Sequence, residues 1–195
     1  MLVGNNKFKY VFIAIPKTGT RSIYNVLRRE FEGHLIRDHE KKIPEKFKGW
    51  FSFTVIRNPY ERLVSAWWST TQRGVDPKGF IKRLKGNASF ENFCKNLPSL
   101  ETVRSAPHLT PQFQWLNNDF DKIIEYENLE EEWLKLPFNE NKVQLIHINS
   151  TRKLEGERNK IVRKHYTEYL NPTIIDIINK FYAKDFKQLN YKMIK

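Results

Sequence analysis

A buried strand that stops at a proline and continues, through a glycine-containing turn, into a helix constrains this chain more than any other feature. Phe8 to Ile15 (FKYVFIAI) is apolar apart from Lys9 and rich in β-branched and aromatic residues, as in a strand covered on both faces of a parallel sheet. Pro16 ends the run, a turn containing Gly19 follows, and Ser22 to Glu30 places Ile23, Val26 and Leu27 at helical spacing. The same order returns downstream. Trp50 to Ile56 (WFSFTVI) predicts a strand and Arg57-Asn58-Pro59 a turn. Tyr60 to Thr70 then predicts a helix with Leu63, Val64 and Trp67 on one face, and Pro59 stands where a helix start tolerates proline. Alternating strands and helices imply an α/β fold, a single domain over residues 1–195 with a mainly parallel β-sheet flanked by helices. Ligands of such sheets bind beyond the carboxyl ends of the strands, where both turns lie.

The remaining pattern is weaker. Gln72 to Ala88 is polar, interrupted by Gly74, Pro77, Gly79 and Gly86, and predicts a loop. Phe90 to Leu97 and Thr110 to Leu116 are short helix candidates, Asp121 to Tyr126 a short strand, Asn128 to Leu136 a helix and Val143 to Ile148 another short strand. Arg152 to Lys164 predicts a loop running into a helix, and Pro172 to Leu189 one amphipathic helix.

A chain of 195 residues suits one domain with a sizeable core. Its 34 basic and 22 acidic side chains leave a net charge of +12, a field that attracts nucleic acid, an acidic membrane face, a polyanionic glycan or a highly phosphorylated nucleotide. Charge does not choose among them. The single cysteine, Cys94, excludes an internal disulfide framework and fits a reducing compartment. The apolar run Tyr10 to Ile15 is too short for a secretory leader, and no stretch approaches the roughly 18 apolar residues of a membrane span.

A strand, a glycine turn and an immediate helix present free backbone N–H groups to an anion. Gly19 removes the Cβ that would block close approach, Thr18, Thr20 and Ser22 offer hydroxyls, and Lys17 and Arg21 offer charge. A Walker A loop is absent, because the lysine precedes the glycine, and a kinase-type reading loses support accordingly. At the second turn Arg57 ends a strand and Ser65 lies eight residues on, a guanidinium and a hydroxyl suited to one more phosphate. Two such sites on neighbouring turns suit a nucleoside phosphorylated at both ends.

With these residues in view, Ala14-Ile-Pro-Lys-Thr-Gly-Thr-Arg-Ser22 resembles the 5′-phosphosulfate loop of sulfotransferases that use 3′-phosphoadenosine-5′-phosphosulfate (PAPS). Phe53-Thr-Val-Ile-Arg-Asn-Pro-Tyr-Glu-Arg-Leu-Val-Ser-Ala-Trp67 resembles their 3′-phosphate motif. The wording is most similar to the carbohydrate sulfotransferases of the heparan 2-O and chondroitin type and their bacterial relatives. The likeness extends to His108-Leu-Thr-Pro-Gln112, Asp121 to Leu129, His147-Ile-Asn-Ser-Thr151 and Phe181-Tyr-Ala-Lys-Asp-Phe186. It implies a P-loop-NTPase-like sulfotransferase fold and transfer of the sulfuryl group from PAPS to an acceptor hydroxyl, with a carbohydrate as the expected acceptor and PAP as product. It further implies that Lys17 contacts the 5′-phosphate and the bridging oxygen, and that Thr18, Gly19, Thr20, Arg21 and Ser22 cradle the phosphosulfate. Arg57 and Ser65 would take the 3′-phosphate, and Ser150, Thr151 and Lys153 would belong to a loop over the nucleotide. Arg21 stands where relatives often carry a small hydroxyl residue, which leaves open whether it faces the nucleotide or an acidic acceptor. Golgi relatives are membrane anchored; the lack of an anchor here leads us to expect a cytoplasmic setting.

The acceptor hydroxyl needs a general base near neutral pH. His34 and His39 fall between the first helix and the second strand, an interval in which related enzymes place a catalytic histidine. His39, in Asp38-His39-Glu40, is the favoured base because flanking carboxylates can orient the ring, with His34 as the alternative. No metal is expected, since the five histidines and lone cysteine form no zinc pattern. His108, beside Pro107 and Pro111, is an acceptor-binding or structural candidate, and His147 and His165 read as structural. Trp67 and Trp68 point differently on one helix, so one is expected in the core and one, with Trp68 carried as the candidate, against the acceptor. The competing reading is a non-catalytic protein that binds nucleotide or nucleic acid, but no nucleic-acid motif is recognisable and the basic residues are dispersed.

Overall fold

Short strands that are apolar on both sides need neighbours on both edges and helices on their faces, and the chain supplies them in two units. A computed structural model describes residues 1–38, 40–71, 84, 87–97, 107–146 and 163–195. One unit comprises Met1–Arg57 with Gln114–Lys160, the other Asn58–Phe113 with Ile161–Lys195.

The first unit holds a five-stranded sheet in the order β3-β1-β2-β4-β5, with β1 at Leu2–Asn5, β2 at Tyr10–Ile13, β3 at His34–Arg37, β4 at Phe51–Ile56 and β5 at Lys122–Glu125. β2 pairs parallel with β4, and β4 with β5, while β1 lies antiparallel to both β2 and β3. Among these strands, therefore, β2, β3, β4 and β5 point one way and β1 runs against them. This is the α/β architecture expected of the sequence. Helix α1, Thr20–Glu30, turns Ile23, Val26 and Leu27 into a core shared with Val3, Phe12, Phe53 and Val55. Phe12 and Phe53 stack across neighbouring strands at 4.8 Å between centroids, a pairing favourable beyond the area it buries.

The expected strand at 143–148 is corrected by the structure: residues 143–146 form no strand. Val143 N–H donates to Asn139 Oδ1 (2.8 Å), and its carbonyl accepts from Trp133 Nε1 (2.8 Å) and Asn139 Nδ2 (3.1 Å). Side chains have taken the groups that a strand ladder would need.

In the second unit helix α2, Pro59–Thr71, is covered on most of its circumference. Leu63, Val64, Trp67 and Trp68 share a core with Phe90, Phe93, Ile174, Ile178 and Phe186. Asn58 Oδ1 accepts the Tyr60 N–H (3.0 Å) and closes the open start of α2. Asn171 does the same for the helix Pro172–Phe181, accepting from Ile174 N–H at 2.9 Å with Pro172 in the first turn. The expected single helix over 172–189 is broken at Tyr182, and a second helix runs Ala183–Gln188. Cys94 is buried in this core, and its burial pushes the thiol pKa up. No helix among the described residues is long and apolar enough to cross a membrane.

Candidate functional site

Between the end of β2 and the start of α1 the backbone turns through two left-handed residues, Lys17 (φ 75°) and Gly19 (φ 78°). Glycine meets that demand at no steric cost and lysine does not, so strain is held at the residue whose side chain carries the charge. Two hydroxyls fix the turn: Thr18 Oγ1 and Thr20 Oγ1 both donate to the Ile15 carbonyl, at 2.8 and 2.9 Å. Thr18 is fully buried, so its hydroxyl contributes to the turn's shape. Gly19 is the cap of α1, no side chain caps the helix start, and its first turn carries no acidic residue. The positive end of the helix dipole is thereby left for an anion from outside.

The sheet sets Arg57 beside this turn. In the parallel β2–β4 pair Ile13 is level with Thr54, so the chain beyond Thr54 emerges on the side where β2 turns. Arg57 Nη1 donates to the Lys17 carbonyl at 3.0 Å, and the side chain is only 5% exposed. On the other flank Ile56 is level with Glu125, which brings Tyr126 to the end of β5 next to Arg57. The guanidinium carbon lies 3.9 Å from the Tyr126 ring centroid, a close cation–aromatic stack. Beside Gly19 and Ser22 opens a hollow of about 390 Å³, walled by Tyr126, Asn128 and Leu145 and by the acidic side chains Glu127, Glu130 and Glu131. One region of the first unit therefore presents a cationic turn, a buried guanidinium and a hollow lined by three glutamates and one aromatic ring.

The model of the sulfotransferase family matches residues 1–192. The chain belongs to the sulfotransferase family. No curated protein and no solved structure matches it. Membership makes it a transferase of sulfuryl groups, and the turn and Arg57 are the parts of this sulfotransferase suited to anionic chemistry.

Other expected residues fall in different places. Arg21 is exposed on α1, and Ser22 faces the hollow. His34 opens β3 and is exposed there. It pairs with Gly4, which is level with Val11, so it lies two strands over from β2 and short of the end that leads to the turn. His39, His147, Ser150, Thr151 and Lys153 lie outside the described residues. Ser65, Trp68 and His108 belong to the second unit. Trp68 is buried there, 5.6 Å from Trp67 between ring centroids; both indoles are core residues, and Trp67 Nε1 donates to the Ala88 carbonyl (2.7 Å). His165 heads a one-turn helix and its ring nitrogen meets Thr167 Oγ1 at 2.7 Å, in keeping with a structural role.

His108 is exposed on a segment that the second unit holds from several sides. Tyr182 Oη donates to the Leu109 carbonyl (2.8 Å) and Arg62 Nη2 to the Thr110 carbonyl (2.9 Å). The Asp185 carboxylate accepts the N–H groups of Gln112 (2.8 Å) and Phe113 (2.9 Å). Burial pushes the Asp185 carboxyl above the usual range, opposed by those two N–H groups and by Arg62. Among the described residues no group of three or more His, Cys, Asp or Glu side chains is placed to hold a metal ion.

Tyr126 was not among the residues expected at the site. The signal was available in Asp121 to Tyr126 (DKIIEY): a strand parallel to Trp50 to Ile56 must bring its closing tyrosine to the level of Arg57.

Proposed function

We propose that this sulfotransferase takes its sulfuryl group from PAPS and delivers it to a carbohydrate hydroxyl. The observation that carries the donor assignment is Arg57, buried and hydrogen-bonded to the carbonyl of Lys17. It sets a second fixed cation one residue's reach from an anion-ready helix start. A nucleotide with phosphates on both sides of its ribose would use both cations; a single phosphate does not need them. The acidic and aromatic hollow beside the turn suits a purine, whose exocyclic amine donates to carboxylates that would repel a further phosphate. Gly19 lets the backbone take the left-handed turn that opens the helix start, with Tyr126 and Leu129 packed where a Cβ would stand.

PAPS supplies an activated sulfuryl group on a phosphate leaving group. Lys17 neutralises the charge that grows on that phosphate as its bond to sulfur breaks, and the α1 N-terminus shares the load. Arg57 binds the 3′-phosphate and orients the nucleotide. Ser65, Ser150, Thr151 and Lys153 enter this reading through the family motifs alone. The base removes the acceptor hydroxyl proton as the new oxygen–sulfur bond forms. Of the two histidines His39 is preferred, because the carboxylates that flank it in the sequence, Asp38 and Glu40, can orient the ring, whereas His34 starts β3 at the end away from Ile13. His108 is the acceptor-side candidate, on an exposed and firmly anchored segment.

The test is thermal unfolding with PAP, ATP or single-stranded DNA at saturating concentration. PAP is expected to raise Tm through linkage, adding about 2.7 kcal/mol of stability at a hundredfold excess over Kd. A shift with ATP or DNA but none with PAP would sink the donor assignment. With labelled PAPS and a panel of neutral and acidic saccharides, Lys17→Ala is expected to cut turnover at least a hundredfold, on the order of one lost electrostatic contact in the transition state, while leaving Tm almost unchanged. Unchanged turnover would remove Lys17 from the reaction.

A further inference from the structure

We infer that Tyr126 is a positioning residue that locks the Arg57 guanidinium and the Lys17–Gly19 turn into one preformed nucleotide site. The inference rests on the nucleotide reading above.

The Tyr126 ring meets both halves of that site. On one side it lies 3.9 Å from the Arg57 guanidinium carbon. It also borders Gly19, where a Cβ would come within 3.0 Å of Tyr126 Cε2. Arg57 closes the triangle through its bond to the Lys17 carbonyl at 3.0 Å. An arginine side chain has four rotatable bonds, and holding it in one pose costs entropy whenever the ligand must do it. Here the flat ring face and the turn carbonyl do it beforehand. Both contacts depend on planarity, since a guanidinium can stack on an aromatic face and donate in its own plane at the same time, and an ammonium cannot. The tyrosine hydroxyl takes no part in either contact, so phenylalanine should serve as well. Register explains why the position is occupied by a ring at all: β5 ends beside β4, and its next residue is the first one able to cover Arg57.

The lock predicts an effect on nucleotide binding rather than on the chemical step. PAP is titrated calorimetrically into the full chain and its variants, and KM for PAPS and kcat are measured in parallel. Tyr126→Leu is expected to weaken PAP binding roughly tenfold, the scale of one desolvated cation–aromatic contact, and to raise KM with kcat retained. Tyr126→Phe should restore binding to within about twofold of wild type, and adding Tyr126→Leu to Arg57→Ala should cost nothing further. Wild-type affinity in Tyr126→Leu, or a loss that adds in full to that of Arg57→Ala, would overturn the inference. Should Tyr126→Leu not fold, Arg57→Lys keeps the charge without the flat face and should lose at least as much; wild-type affinity there also overturns it. No PAP binding by the wild-type chain is a separate result, which overturns the nucleotide reading and with it the role given to Tyr126.

Discussion

Gly19 is the residue at which backbone conformation and space act together. Its φ of 78° lies in the left-handed region, and a Cβ would sit 3.0 Å from Tyr126 Cε2 and 3.3 Å from Leu129 Cδ2. Neither neighbour is a flexible chain end: the ring is stacked on Arg57 and Leu129 is buried. Gly19→Ala is therefore expected to lose about 1–3 kcal/mol of stability from the strained backbone and the forced shift of the ring. It should also weaken PAP binding, because the displaced ring releases Arg57. Denaturant unfolding and PAP titration measure the two effects separately, and a stable Gly19→Ala chain with wild-type affinity would show that the turn does not need its present shape. Lys17, with nearly the same φ but a side chain to keep, carries its strain in every molecule, as expected where charge placement outweighs backbone ease.

Asp185 shows how the helices of the second unit hold a segment that has no regular structure of its own. Its two oxygens accept from adjacent backbone N–H groups, and Arg62, also buried, lies close enough to favour the ionised form. Asp185→Asn replaces one acceptor by an NH₂ group that confronts an N–H, and removes a negative charge that Arg62 favours. A loss of about 1–3 kcal/mol is expected in chemical unfolding at pH 7, and a neutral result would remove the carboxylate from the anchor. Because burial raises the folded pKa of this carboxyl, its ionisation works against stability as pH rises above the unfolded value of 3.8, a slope that Asp185→Asn should remove. Elements of this kind were only partly legible in the sequence. β2, α1, β4 and α2 stood out because each lies in an extended apolar run or is strongly periodic and is bounded by turn chemistry, and the turn residues Lys17, Gly19 and Arg57 could be read from the same punctuation. β1 (LVGN) and β3 (HLIR) are four residues each, the first half polar or small and the second largely exposed at a sheet edge, so neither had a hydrophobic pattern to announce it. The break at Tyr182 follows from contacts: the tyrosine hydroxyl and Asp185 both reach the 109–113 segment, and a helical period contains no trace of that. Tyr126 differs, since the strand pattern of Asp121 to Tyr126 places it at the level of Arg57, while its contact with that guanidinium is visible only in the structure.

The surplus of 12 positive charges belongs to the whole chain, and its consequence is kinetic before it is structural. On the nucleotide reading few of these charges are needed at the turn itself, where Lys17, Arg57 and the helix start would meet the phosphates. The rest form a field that concentrates polyanions near the surface and raises their encounter rate, on the order of 10- to 1,000-fold at low salt. That field is screened over about 10 Å at 0.1 M salt and about 3 Å at 1 M, whereas contacts inside a buried site are screened much less. The two contributions therefore separate on a salt series. Stopped-flow binding of PAP, followed by tryptophan fluorescence, should show an association rate that falls at least tenfold between 0.05 and 1 M salt, with a dissociation rate that changes far less. Dissociation reports the hydrogen-bonded contacts of Arg57 and the turn, and association reports the field. A flat association rate would mean that the surplus charge does not serve the nucleotide, and would assign it to the acceptor. In that case the KM for an acidic saccharide, and not the one for PAPS, would be the constant that rises with salt.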